Sequence, residues 1–385
     1  MRLWAFGIAA LIYDFLYFAA WLAIPVRAEK LGATATQLGL LQTASTLVFV
    51  ANCLAVGKIA DRWSKPRLVR ASCVVTLGAC IALSQAETLT WLFVLVPLTG
   101  FASSTFWPAL QGSLGQETEP RDLERALGFF NMMWSAGKAL GFFVAGWIAH
   151  ALGPSWSLIV AGGMAVPILV FYPTGERRRT STAQALTHDD RAVFRTMGYV
   201  ANFVAFGVAA GFQNQFFKYL QETGLGTLVD RKAFFGLFLG LMFTAQTIAF
   251  FFLQKGARWT YRRGLLYGSQ IVLAGAVLTV SFARHDLAIL AVAPLIGVQL
   301  GFAYASSLYY SLHGPAEHGK YAGLHEAVLG AGSFVVPLLG GLAIDQTGEL
   351  RMPYWLAAAT ALAALAAQEA IYRRSARSSE KASIR

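Results

Sequence analysis

Charge is scarce in this chain. Lys, Arg, Asp and Glu together make up 13% of its 385 residues, about half their share in an ordinary soluble domain. With 56% hydrophobic residues and a mean hydropathy of +0.53, that shortage rules out a water-soluble globular protein and a disordered one. Cysteine is scarcer still. Cys53, Cys73 and Cys80 all lie in apolar runs, with neither metal-ligand nor paired spacing. They read as small buried residues, so no disulfide framework and no metal site is expected. No Gly-x-x-x-x-Gly-Lys-Ser/Thr occurs, which removes direct drive by ATP. His, Cys and carboxylates never cluster with catalytic spacing, so an enzyme is not expected, nor a cofactor.

The chain does have long apolar runs. Twelve spans stand out: 4–26, 38–57, 68–84, 89–112, 126–149, 156–173, 196–217, 233–254, 265–282, 287–311, 321–343 and 353–371. Most have the roughly 18–25 residues that an α-helix needs to cross about 30 Å of hydrocarbon. The first span is longer than a signal-peptide core and carries Asp14 and many aromatics, so it is expected to stay as the first helix. The fold class that follows is an all-α membrane protein with twelve transmembrane helices.

The formal net charge is +11, which in a soluble chain would suggest nucleic acid. Its distribution says otherwise. With the N-terminus placed on one side and the spans alternating, 23 of the 31 Lys and Arg fall on that side, 7 fall opposite, and Lys138 stays within the membrane. Lys and Arg are retained in the cytoplasm during insertion, so both termini are expected there. The expected location is the plasma membrane, a bacterial inner membrane, with lipid rather than nucleic acid against the basic loops.

Six spans precede the polar stretch 174–195 and six follow it. The halves match at a shift close to 195 positions. Gly137, Gly141 and Gly146 of span 5 align with Gly332, Val336 and Gly341 of span 11. Pro97, Gly100 and Trp107 of span 4 align with Pro294, Gly297 and Tyr304 of span 10. Arg62-Trp63-Ser64 aligns with Arg258-Trp259-Thr260. An even number of spans per half gives both repeats the same orientation, hence a pseudo-two-fold axis along the membrane normal and a binding site between the halves. The expected domains are a six-helix bundle at 1–173, a cytoplasmic linker at 174–195, a second six-helix bundle at 196–372 and a basic tail at 373–385.

These residues resemble the major facilitator superfamily over essentially the whole chain. The most specific piece is the loop after span 2, Gly57-Lys58-Ile59-Ala60-Asp61-Arg62-Trp63-Ser64-Lys65-Pro66-Arg67. It is similar to the signature Gly-x-x-x-Asp-Arg-x-Gly-x-Arg/Lys, with Ser64 in place of the second glycine. Gly137, Gly141 and Gly146 resemble the Gly-x-x-x-Gly-Pro-x-x-Gly-Gly of span 5, with Phe142 for the proline and Ala145 for a glycine. Span 11 keeps Gly332, Pro337, Gly340 and Gly341 for helix packing. The Arg-x-x-Gln-Gly of proton-coupled exporters falls on Pro108 to Gly112, where Gln111 and Gly112 are present and Pro108 replaces the arginine. That replacement argues against a standard proton-antiporting drug exporter. The resemblance implies two pseudo-symmetric bundles, the major facilitator fold, and a cavity lined mainly by spans 1, 4, 7 and 10. It also implies a cytoplasmic gate of Gly57, Asp61, Arg62, Lys65 and Arg67. Asp61 would face the dipole of the span 11 N-terminus. Arg62, Lys65 and Arg67 would meet Glu117, Glu119, Asp122 and Glu124. For Lys65 and Arg67, retention in the cytoplasm is the plainer reason.

Ionisable residues inside spans are costly and face a cavity or a partner. Asp14 lies about 15 Å from the near end of span 1 at 1.5 Å per residue. Lys138 lies at similar depth in span 5, and Glu326 is shallower in span 11. Asp14 and Lys138 form either a buried structural pair or a site that binds substrate charge or exchanges a proton. Asp14, Tyr17 and Trp21 share one helical face. His325 and Glu326 either couple to H+, or Glu326 is held by local polar groups. Gln213, Asn214, Gln299, Gln111, Trp107 and Tyr304 complete the candidate cavity, with amide gluing of helices as the alternative for Gln213 and Asn214. The expected protein is a monomeric secondary transporter of a small organic solute, with H+ as candidate coupling ion. A receptor or scaffold with the same fold is the alternative.

Overall fold

The computed structural model describes residues 2–59, 64–117, 123–173, 191–256, 258–312 and 318–383, and every regular element among them is helical. A backbone in hydrocarbon has no water to bond, so it satisfies its N–H and C=O groups within each helix. The first five spans are α1 (Arg2–Lys30), α2 (Ala35–Ile59), α3 (Lys65–Gln85), α4 (Leu89–Glu117) and α5 (Leu123–Ala151). The sixth is broken at Met164 into α6 (Pro154–Gly163) and α7 (Ala165–Phe171). Gly162 and Gly163 weaken the helix there, and Pro167 has no N–H to offer the Gly163 carbonyl four residues back. The remaining six are α8 (Arg191–Thr223), α9 (Arg231–Leu253), α10 (Arg263–Phe282), α11 (Asp286–Leu312), α12 (His318–Thr347) and α13 (Met352–Ser383).

Among the described residues, ten helices, with α6 and α7 taken as one, are long and apolar enough to cross a membrane. The strongest packing across the halves is that of α2 against α12 and of α5 against α9. Helices also outrun the apolar spans. Arg191–Arg195, placed in the linker from sequence, begin α8, and most of the basic tail continues α13 as far as Ser383. Hydropathy marks the hydrocarbon boundary, whereas a run rich in Arg and Ala stays helical in water.

Each half packs as a bundle, α1–α7 and α8–α13, around a matching helix pair. In the first bundle α5 lies on α1, and a Cβ at Gly137 would overlap the Leu11 carbonyl. In the second, α12 lies on α8, and a Cβ at Gly332 would overlap the Phe203 carbonyl. One turn on, the small residue changes sides. Gly141 of α5 faces the backbone of Phe15, whereas Val336 of α12 fills the space over Gly207 of α8. Both solutions bring backbones close, which is how helices gain packing energy without a hydrophobic drive.

Two seams join the bundles, α5 against α9 and α2 against α12. At the end away from the chain termini (the far end), both are closed. Gly146 touches Gly236 in the first seam; Gly39 lies against Pro337 and Gly341 against Ala35 in the second. Polar contacts seal each seam. Asp345 accepts from the Ala35 and Thr36 N–H groups at 3.2 and 2.8 Å, capping α2 with a carboxylate at its positive end. In the other seam Asp230 caps its own helix through the Lys232 N–H at 2.9 Å, and His150 approaches it at 3.4 Å. Positions 150 and 345 are repeat equivalents, so one repeat supplies the carboxylate and the other the imidazole.

The seating of α12 on α8 predicts that Gly332→Val costs about 1–3 kcal/mol, as overpacking does, read as a lower melting temperature in detergent. Gly275 has nothing within 4 Å of an added methyl; its replacement by Ala should be neutral or stabilising by roughly 0.5–1 kcal/mol. Equal losses from the two changes would contradict this packing.

Candidate functional site

Between the bundles lies a cavity of about 230 Å³. The first bundle contributes Asp14, Tyr17, Phe18 and Trp21 from α1, Gln42, Thr46 and Cys53 from α2, Trp107 and Gln111 from α4, and Trp134 and Lys138 from α5. The second contributes Phe206 and Gln213 from α8, Tyr304 from α11, and Glu326 and Ser333 from α12. Gln42, Gln213 and Trp21 lie towards the closed far end. Cys53, Gln111 and Glu326 form the margin towards the chain termini.

Of the residues singled out from sequence, Asp14, Tyr17, Trp107, Gln111, Lys138, Gln213, Tyr304 and Glu326 border this space. Asn214 and Gln299 do not. Asn214 donates to Gln42 Oε1 at 3.1 Å and to the Ala210 carbonyl at 2.8 Å, so it ties the bundles together beneath the cavity. Its neighbour Gln215 donates to the Pro337 carbonyl at 2.5 Å within the second bundle. Successive residues on a helix point about 100° apart, so the three amides divide among cavity, seam and core. Gln299 is buried inside the second bundle, about 140° round α11 from Tyr304 by the same geometry.

The two charged side chains at mid-depth are not bonded to each other. Asp14 and Lys138 are 3% and 5% exposed, yet among the described residues no ion pair within 4.0 Å joins them. Instead the Lys138 Nζ stands 3.7 Å from the Phe18 ring centroid and 4.2 Å from that of Phe243. Two desolvated cation–π contacts supply roughly 1–4 kcal/mol. A buried ammonium loses several kcal/mol of hydration. The rings therefore leave part of its charge to be balanced by Asp14, which attracts it from beyond contact distance.

His325 and Glu326, adjacent in sequence, are separated by the fold. Glu326 borders the cavity. His325 is fully buried in the second bundle, its Nδ1 2.8 Å from Ser307 Oγ and 3.4 Å from Asn202 Nδ2. The pair expected to act together is not brought together. Trp107 and Tyr304, repeat equivalents, both border the cavity but also pack edge-to-face, Trp107 on Phe130 at 5.9 Å and Tyr304 on Trp134 at 5.4 Å.

Asp61 and Arg62 lie outside the described residues, as do Glu119 and Asp122 of the acidic segment. Gly57 belongs to α2. The Lys65 side chain lies over Gly112 of α4 in its own bundle, 3.3 Å from where a Cβ would stand, and Arg67 is exposed. Pro108 leaves the Ser104 carbonyl without its intrahelical donor, and Cys53 Sγ approaches that carbonyl at 3.9 Å. Among the described residues, no group of His, Cys, Asp and Glu is arranged to hold a metal ion.

Twelve spans in two repeated bundles around a central cavity define a membrane carrier fold. The family model of the Major Facilitator Superfamily matches residues 6–314, and the chain belongs to that superfamily of transporters. An uncharacterized MFS-type transporter of Mycobacterium tuberculosis is 26% identical over 354 residues, covering 86% of this chain and 80% of its own. Among solved structures, a bacterial homologue of the human lysosomal transporter Spinster, inward-facing and occupied, superposes with a TM-score of 0.76 at 12% identity, over 97% of this chain and 96% of that one. The nucleoside transporter NupG gives 0.71 at 13% identity, over 95% and 99%. At such identities the structural likeness establishes fold alone.

Gln42, Thr46, Trp134 and Ser333 were not foreseen from sequence, because the cavity was expected mainly from spans 1, 4, 7 and 10, with only the charges Lys138 and Glu326 added from α5 and α12. Their signal was available as polar or aromatic residues in the same spans as the glycines that bring those helices together. One consequence concerns the native cysteines. Cys53 borders the cavity, whereas Cys73 and Cys80 are fully buried. A small maleimide should therefore modify Cys53 about tenfold faster or more, since access sets thiol reactivity. Peptide mass spectrometry reads the order, and faster loss of Cys73 or Cys80 would contradict the cavity.

Proposed function

We propose that this protein is a secondary active transporter that moves a small organic solute by alternating access, with H+ as coupling ion. The observation that carries this reading is the cavity itself. Both bundles line it, and Asp14, Lys138 and Glu326 stand in it at depths where charge is costly. A receptor or scaffold with the same fold would have no need of them.

In this reading the bundles at 1–173 and 196–372 rock about the central site, joined by the segment 174–195. The basic bias places the termini in the cytoplasm of a bacterial inner membrane. The closed far end then faces outward, and the cavity margin at Cys53, Gln111 and Glu326 faces the cytoplasm. Asp61 and Arg62 form the opposite gate, with Lys65 and Arg67 beside them, closing when the far-end seams part. Asp14 and Glu326 are the carboxylates available to exchange a proton with the cavity.

Flux into proteoliposomes, measured with a metabolite panel with and without a pH gradient, tests this reading. Asp14→Asn should abolish accumulation driven by the gradient; wild-type accumulation would remove Asp14 from coupling. Asp345→Ala removes the cap on α2. It should shift the balance towards the outward-open state by about fivefold, the equivalent of about 1 kcal/mol for a lost helix cap. Spin-label distances across the α2–α12 seam at the far end measure this, and an unchanged distribution would show that the cap does not hold the seam.

A further inference from the structure

The two mid-depth charges say more about the substrate than the fold does. Asp14 is an acid and Lys138 a base, on α1 and α5 of the same bundle, and both border one cavity. Had they served only to neutralise each other, direct contact would be the cheapest arrangement, because a buried pair gains most when its atoms touch. Among the described residues they do not touch. Lys138 is held instead by the faces of Phe18 and Phe243, a placement that keeps its ammonium at the cavity wall. Asp14 accepts no hydrogen bond from the described residues, and the face it shares with Tyr17 and Trp21 is aromatic.

We infer that the cavity takes a small zwitterion with an apolar or aromatic body, its cationic end against Asp14 and its anionic end against Lys138. This deepens the transporter reading and rests on it. A substrate with both charges compensates both groups at once, which neither a simple cation nor a simple anion does. The body then lies on the Tyr17 and Trp107 rings, which accept flat apolar surfaces and cations alike. Glu326, nearer the margin, is not needed for this and stays available to a proton.

Binding to the purified full chain tests the inference apart from transport. Two series serve as probes: phenylalanine, its methyl ester and its N-acetyl derivative; and octylphosphocholine, octyltrimethylammonium and octyl phosphate. Each holds the body fixed and offers both charges, the cation alone or the anion alone. Intrinsic tryptophan fluorescence gives the dissociation constants. In at least one series the zwitterion should bind the wild type at least about tenfold more tightly than either analogue, as expected when two buried charges find partners. Asp14→Asn should cancel the preference over the anion, and Lys138→Gln the preference over the cation. Equal or weaker binding of the zwitterion in both series, or no binding by any of the six compounds, overturns the inference. The wild-type comparison decides even if a variant fails to fold. Selective binding without flux in liposomes would leave the substrate class standing and sink the transporter reading instead.

Discussion

The structure depends on one constraint: in hydrocarbon, a polar group without an internal partner has no water to fall back on. The backbone meets it by becoming helix everywhere. The side chains meet it by turning inward, and this is why Asp14, Lys138 and Gln213 are found between the bundles rather than against lipid. Helix association in lipid then requires close backbone approach, since burying more apolar surface gains little there. Gly137 against Leu11 and Gly332 against Phe203 provide that approach at equivalent places in the two bundles. The cavity is what remains when two such tightly paired units meet mainly along two seams.

Repetition runs through every level, but it is not copying. The seat of α5 on α1 uses Gly141 beneath Phe15, and the equivalent seat of α12 on α8 uses Val336 above Gly207. At the far end Asp345 reaches across to cap α2, whereas His150 reaches across to a helix that Asp230 already caps. Shape and sign are conserved across each contact as a sum, and the residues trade places within it. The cavity inherits this asymmetry, with both mid-depth charges in the first bundle and the edge carboxylate Glu326 in the second.

Much of this was legible in the sequence because lipid imposes a coarse code. Spans, their number, the repeat and the glycine ladders are all set by length and residue size, which a linear reading retains. Eight of the ten residues expected at the cavity border it, since a charge or amide inside a span has few other places to go. What escaped depended on rotation about helix axes. Gln299 and Tyr304 share α11 but face different ways, and His325 and Glu326 part company across a single residue step. Gln42, Thr46, Trp134 and Ser333 of α2, α5 and α12 escaped because they carry no charge and those helices announce themselves through glycine, and the same face that admits a neighbour also borders the gap beside it.

The two rings that flank Lys138 come from different bundles, Phe18 from α1 and Phe243 from α9. Such an arrangement exists only while the α5–α9 seam is shut. Were the bundles to tilt apart as proposed, the ammonium would keep one phenyl face and lose the other, and its attraction towards Asp14 would grow by comparison. In that motion the lysine would act as a gauge of seam closure, biased towards whichever neighbour the tilt left nearest. A solute that claims this ammonium in one posture and releases it in the other would be felt across the whole membrane thickness through a single side chain.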